Sequence, residues 1–249
     1  MDFALKSDIG QQRKLNEDYC GCYFKEDSDL SLFVLADGMG GHNAGEIASK
    51  ITVESILAKV SEFLDSNNEC LTSDKIQELS SDAICSANTN VVSLARRNVG
   101  MQGMGTTVVM ASIWENKACI SHVGDSRAYL ISDKKISQLT TDHSYVEELI
   151  KSGKITREEA KTHSDRNMIT RAIGVEDEVT TDLDIVDFKK SDAIILCSDG
   201  LTNLIDENEI LNIYLKGSNS EKICEMLLKE ANVRGGYDNI TVIVIIKNI

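Results

Sequence analysis

The sequence predicts a layered α+β protein, on three observations. Short apolar runs rich in Val and Ile are bounded by Gly, Asn and Asp, as strands are. Several of these runs follow one another closely, which favours antiparallel pairing over βαβ repetition. Two long stretches with apolar residues at helical spacing sit side by side in the chain instead of alternating with strands.

The elements follow in order. A strand is predicted over 32–36 (Leu-Phe-Val-Leu-Ala). A helix is predicted over 44–64, where Ile47, Ile51, Ile56, Val60, Phe63 and Leu64 recur at helical spacing. A second helix over 73–97 rests on Ile76, Leu79, Ala83, Ile84, Ala87, Val91 and Leu94. Strands over 106–113, 118–123 and 128–131 are close enough to read as one meander, with Glu115-Asn116-Lys117 as a tight turn. Between 142 and 182 the composition turns polar, and 144–151 and 156–163 read as short helices joined by Gly153. Acids in the Thr156-Arg-Glu-Glu159 turn suit the positive end of a helix dipole. A strand over 193–198, helices over 207–214 and 220–232, and a strand over 240–246 complete the pattern. Nearly uninterrupted apolar strands imply sheets covered on both faces. No repeat, linker or low-complexity tract appears, so one domain spanning 1–249 is expected.

Composition narrows the function. With 42% hydrophobic and 27% charged residues the chain reads as an ordinary globular protein. A formal net charge of −14 disfavours nucleic acid and anionic membranes as partners. No apolar run nears the ~20 residues that span a bilayer, and the first residues lack the layout of a signal peptide. A cytoplasmic monomer is therefore expected. Seven cysteines without a CxxC pair argue against a zinc knuckle; Cys119 and Cys197 read as buried thiols, and Cys20-Gly-Cys22 is a weak metal signal.

The informative residues are acids at strand ends. Asp37-Gly38 ends one apolar run and Asp199-Gly200 another; Asp125 follows His122-Val-Gly, and Asp238 precedes the last strand. A carboxylate at the mouth of a buried strand is costly unless a cation meets it. Most of these acids have no adjacent Lys or Arg, so bound metal is the expected compensation. All-oxygen donors suit Mg²⁺, Mn²⁺ or Ca²⁺. The Gly38 carbonyl, unobstructed by a side chain, is a further donor. Two ions about 3.5–4 Å apart could share a bridging hydroxide for in-line attack on phosphorus. Arg13 is the candidate phosphate fork, with Glu17 and Asp18 beside it to hold metal-bound waters. Taken singly, Asp-Gly is a turn, Arg13 a surface charge and His122 a satisfied core histidine; the combination carries the argument.

Seven motifs then occur in a familiar order: Arg13-x-x-Asn16-Glu-Asp18, Ala36-Asp-Gly-Met-Gly-Gly-His42, Gly103-Met-Gly-Thr-Thr107, Val123-Gly-Asp-Ser-Arg127, Leu139-Thr-Thr-Asp-His143, Cys197-Ser-Asp-Gly-Leu201 and Gly236-Tyr-Asp-Asn-Ile-Thr241. Over essentially the whole chain the set resembles the metal-dependent Ser/Thr protein phosphatases of type 2C, in their bacterial branch. The resemblance implies a four-layer α-β-β-α sandwich, with two antiparallel sheets flanked by helix pairs and a flap at 142–182. It implies Mn²⁺ or Mg²⁺ as cofactor, with Asp37 bridging two core ions. The Gly38 carbonyl would sit on one ion, and Asp199 and Asp238 on the other. A third, looser ion would use Asp125 with Asp199. Arg13 matches the phosphate-binding arginine. Eukaryotic members carry Asp-Gly-His, where the histidine is the proposed general acid; here Met39 follows Gly38, leaving His42 or a metal-bound water for that role.

The expected activity is direct hydrolysis of phosphoserine and phosphothreonine in proteins, reversing a cognate bacterial Ser/Thr kinase. Two rivals stand beside it. One is a catalytically inert binding module of the same fold, for which metal ligands should be missing, and none is. The other is an aspartyl-phosphate phosphotransferase, for which a second acid should follow as Asp-x-Asp; Asp37-Gly-Met and Asp199-Gly-Leu lack it. The absence of GxxxxGK[ST] excludes a P-loop kinase.

Overall fold

The computed structural model describes residues 1–26, 28–39, 44–66 and 70–247. The chain begins with β1 (Asp2–Asp8), β2 (Asp18–Tyr23) and β3 (Ser31–Met39), then two long helices, α1 (Gly45–Ser66) and α2 (Ser73–Arg97). Strands β4 (Gly105–Thr106), β5 (Val108–Trp114), β6 (Lys117–Val123), β7 (Arg127–Ser132) and β8 (Lys135–Gln138) follow. Next come α3 (Tyr145–Lys151), α4 (Arg157–Lys161), β9 (Asp182–Asp187), β10 (Ala193–Cys197), α5 (Asp199–Thr202), α6 (Glu207–Lys216), α7 (Ser220–Val233) and β11 (Ile240–Ile246).

Among the described residues the strands make two antiparallel sheets. One has the order β1-β11-β10-β7-β8; the other runs β2-β3-β5-β6-β9, with β4 against the end of β3. The two-residue period of a strand sorts its side chains into layers. On β3, Leu32, Val34 and Ala36 pack with α1 and α2, whereas Phe33 and Leu35 enter the core between the sheets. On β10, Ala193, Ile195 and Cys197 pack against α7 residues Ile223 and Leu227, whereas Ile194 and Leu196 face the other sheet. The result is the expected α-β-β-α order of layers. Burying one such Leu, Ile or Phe contributes about 1.5–3 kcal/mol, so a one-residue slip of β3 is strongly disfavoured. That register also decides where Asp37 goes.

Helix ends are secured by their own side chains. Thr72 Oγ1 accepts the Lys75 N–H at the start of α2, and Arg96 and Arg97 lie in its last turn. Asp206 and Glu209 form a capping box on α6, and Thr156 and Glu159 do the same on α4.

The structure corrects the expected meander. β5 and β6 form the predicted hairpin, but β6 pairs with β9, and β7 lies in the opposite sheet between β8 and β10. The chain changes sheets at Gly124, whose φ of +108° is a region open chiefly to glycine. Within the predicted strand 106–113, Thr107 interrupts the ladder between β4 and β5. Four further strands, β1, β2, β8 and β9, lie outside the predicted ones. His122 is buried as expected, with Nε2 2.9 Å from the Thr141 carbonyl. All seven cysteines are free, and Cys20 and Cys22 pack into the inter-sheet core. No described helix is long and apolar enough to cross a membrane.

Candidate active site

Strand parity delivers the first two acids. Asp18 shares a strand face with Cys20 and Cys22, and Asp37 shares one with Phe33 and Leu35, so both continue the inter-sheet layer at its end. They are directly opposite in the β2–β3 register. Asp125 sits on the turn by which the chain changes sheets, Asp199 opens α5 directly after β10, and Asp238 lies just before β11. A sequence separation of up to 220 residues, from Asp18 to Asp238, thus collapses onto one end of the sandwich.

The electrostatics record the convergence. Burial pushes the Asp37 carboxyl well above its ordinary pKa, and the charges of Asp18, Asp199, Asp125 and Asp238 push it further. Burial and then the Asp238 charge raise the Asp199 carboxyl. Burial raises Asp18 to about 7, partly offset by the Thr241 and Ser198 hydroxyls. Burial and then Asp199 raise Asp125 to about 7. Glu17 also lies above its ordinary value, through burial in spite of Arg13 and with Glu46 adding repulsion.

Neutral groups hold this framework. Thr106 Oγ1 and the Thr107 N–H both donate to the Asp37 carbonyl at 2.8 Å, and the Asp37 N–H donates to Thr107 Oγ1 at 3.1 Å. Ser198 Oγ donates to Asp18 Oδ2 at 2.8 Å while accepting the Thr241 N–H. Asn203 Nδ2 donates to Asp199 Oδ2 at 3.0 Å. A Cβ on Gly38 would lie 2.2 Å from the Gly45 carbonyl oxygen and 2.6 Å from that of Glu17, so only glycine fits there.

Asn239 has the most connected role. Its Nδ2 donates to the carbonyls of Ile9 and Leu15 at 3.0 Å each, and its Oδ1 accepts the Glu17 N–H at 2.8 Å. Its own N–H donates to Asp238 Oδ1 at 2.8 Å. One buried carboxamide therefore bolts the loop carrying Arg13 to the Asp238 loop. Thr107, Ser198 and Asn239 all lie inside the sequence motifs, but spacing alone assigns them no role. Their neutral side chains show no chemistry until their partners are known.

Arg13 reaches the centre: Nη2 donates to Asp238 Oδ2 at 2.8 Å, and Nη1 lies 3.7 Å from Glu17 Oε2. His42 falls outside the described residues.

The donor set fits hard divalent cations. Asp18 Oδ1 is buried with no hydrogen-bond partner, as is Glu46 Oε2, beside acids that share one arginine. Such orphaned carboxylate oxygens are costly unless a cation completes them. Among the described residues His122, His143 and Asp182 form a group with metal-like spacing that shares no residue with these acids.

Comparison with known proteins agrees with this geometry. Residues 10–230 match the family model described as protein phosphatase 2C. The serine/threonine phosphatase stp of Listeria welshimeri is 38% identical, over 100% of this chain and 97% of its own. The protein phosphatase PhpP of Streptococcus pneumoniae is 39% identical, over 100% and 98% respectively. A crystal structure of a bacterial serine phosphatase superposes with a TM-score of 0.89 at 36% identity, covering 98% of this chain and 96% of that one. The catalytic domain of the serine/threonine protein phosphatase PstP in complex with two manganese ions gives 0.81 at 32% identity, covering 97% and 96%. Acids converging at the sheet ends, the four layers and these full-length matches have one reading: the chain belongs to the protein phosphatase 2C family of metal-dependent Ser/Thr phosphatases.

Proposed function

We propose that this enzyme hydrolyses phosphoserine and phosphothreonine in proteins at a centre of two Mn²⁺ or Mg²⁺ ions, without a covalent phosphoenzyme. The observation that carries the reading is Asp37, against which four other carboxylates press from both sheets. Asp37 would bridge the ions, with the Gly38 carbonyl on one and Asp199 and Asp238 on the other. Asp125 with Asp199 would hold a third, looser ion, and Glu17 and Asp18 would orient coordinated water. When bound, such ions supply Lewis acidity and an activated water nucleophile at neutral pH.

The chain's own groups do the rest. Arg13 presents a guanidinium fork at the rim, tethered to Asp238, where it can grip two phosphate oxygens. His42 or a metal-bound water would give a proton to the departing serine or threonine oxygen. The segment 142–182 would act as a flap beside the site, and the phosphoproteins would be products of a cognate Ser/Thr kinase. The protein would work as a monomer in the cytoplasm.

Asp37→Asn and Asp199→Asn test the assignment on a phosphothreonine peptide with Mn²⁺. Partners one shell outside a metal typically cost 10–100-fold when lost, so these ligands should cost more than ~100-fold in kcat. EDTA should abolish the parent activity. Near-parental turnover by either variant overturns the assignment.

A further inference from the structure

The group His122, His143 and Asp182 has metal-like spacing, yet its hydrogen bonds are those of a relay. The Gly124 N–H donates to His143 Nδ1 at 3.0 Å, so in the neutral ring the proton sits on Nε2. That nitrogen faces Asp182 Oδ2 at 3.2 Å. His122, stacked on His143 at 4.7 Å between ring centroids, has Nε2 engaged by the Thr141 carbonyl. The place of a cation is taken by Arg171, which meets His143 through the shared Asp182 carboxylate: its Nη1 donates to Asp182 Oδ1 at 2.5 Å and to the Thr180 carbonyl at 3.1 Å.

The relay joins two places that matter. At one end His143 clamps Gly124 reciprocally, since the His143 N–H also donates to the Gly124 carbonyl at 3.0 Å. Gly124 immediately precedes Asp125, on the turn where the chain changes sheets. At the other end lie both limbs of the flap: the Thr170 N–H donates to the His143 carbonyl at 2.8 Å, and Arg171 and Asp182 come from the returning limb. His143 is thus the point at which the flap leaves, returns and grips the backbone of the residue just before a candidate metal ligand.

We propose that His143 is a positioning residue that ties the flap to Asp125, so that a phosphoprotein pressing on the flap changes the grip of Asp125 on its divalent cation. This rests on the reading of Asp125 as a ligand of the third, looser ion. Two near-isosteric variants separate the arms. His143→Asn keeps an acceptor where Nδ1 was and loses the contact with Asp182 and, through it, with Arg171; His143→Gln does the reverse.

The test is Mn²⁺ binding by titration calorimetry on the whole chain, with kcat and KM on a phosphoprotein and on an aryl phosphate; Asp125→Asn is the reference. Asp125→Asn should remove the weakest Mn²⁺ site. His143→Gln should weaken that same site about tenfold and spare the tighter ones. His143→Asn should bind Mn²⁺ as the parent does, yet raise KM for the phosphoprotein and not for the aryl phosphate. Arg171→Gln, at a partly exposed side chain, should repeat the His143→Asn pattern and serves if a histidine variant fails to fold. If Asp125→Asn removes the weak site while His143→Gln leaves it untouched, the relay is wrong and the ligand reading stands. If Asp125→Asn leaves the isotherm unchanged, the ligand reading itself falls and the relay with it. Parental KM values in both His143→Asn and Arg171→Gln also overturn the coupling.

Discussion

Asp18 has one carboxylate oxygen bonded to Ser198 and one with no partner, inside a protein wall that water barely reaches. A side chain kept for stability would not be built this way, because an uncompensated buried charge is destabilising. Its folded pKa of about 7, against an ordinary value of 3.8, expresses that strain in the metal-free protein. Asp18→Asn keeps the shape and removes the charge. The metal-free variant should therefore melt above the parent at pH 8, by about 2–4 °C for each kcal/mol gained. Mn²⁺ should stabilise it less than it stabilises the parent. Thermal melts with EDTA and with Mn²⁺ read both effects, and a lower metal-free melting temperature would count against the argument. Asp37 and Asp199 were legible in the sequence because each follows an apolar run, and Asp238 because it precedes one; Asp18 was legible only as a neighbour of Arg13. Ser198 and Thr107 were not, because a hydroxyl's role depends on a partner brought from another strand.

At the scale of elements, what sequence revealed and what it concealed follow one physical line. The strands with clear apolar runs, β3, β5, β6, β7, β10 and β11, are the interior strands of the two sheets. The four edges, β1, β2, β8 and β9, are strands that the sequence pattern does not predict. An edge strand has a neighbour on one side and needs less apolar surface, so a segment such as Asp182–Asp187 carries no strand signal in the sequence. The broken meander has the same kind of cause. Short spacing signals adjacency in the chain, whereas Gly124 lets the chain step across to the other sheet and so places Asp125 at the mouth of the sandwich. The loops are tied as elements too, by Asn239. Asn239→Asp retains the acceptor for Glu17 but sets a carboxylate against the carbonyls of Ile9 and Leu15, losing two hydrogen bonds worth about 1 kcal/mol each. The Arg13 loop should come loose. KM for a phosphopeptide should rise and inhibition by inorganic phosphate should weaken, both by about tenfold or more. Steady-state kinetics with a phosphate titration would show it; a variant that loses stability yet keeps parental KM and phosphate inhibition would reduce Asn239 to a structural part.

For the whole molecule, five aspartates of a chain with a net charge of −14 meet at one end of the sandwich. Asp18, Asp37, Asp125 and Asp199 all have folded pKa values above their ordinary ones, through burial and mutual repulsion. Between about pH 4 and 7 the folded metal-free protein therefore holds protons that the unfolded chain has released, and its stability falls as pH rises through that window. His122 and His143 work oppositely: burial lowers their pKa values, so their contribution is lost as pH falls below about 6.5. The two trends oppose each other in the metal-free melting curve, but the histidines are common to the free and loaded forms and cancel in the difference. A divalent cation competes with protons for the same carboxylates and replaces them. The gap in melting temperature between the Mn²⁺-loaded and metal-free protein should accordingly be larger at about pH 8 than at about pH 5.5, at equal excess of metal. Asp125→Asn should narrow the gap at pH 8 and leave it nearly unchanged at pH 5.5, where that carboxyl is already protonated. Calorimetry across this range decides the matter, because cation binding away from these acids would give a gap indifferent to pH.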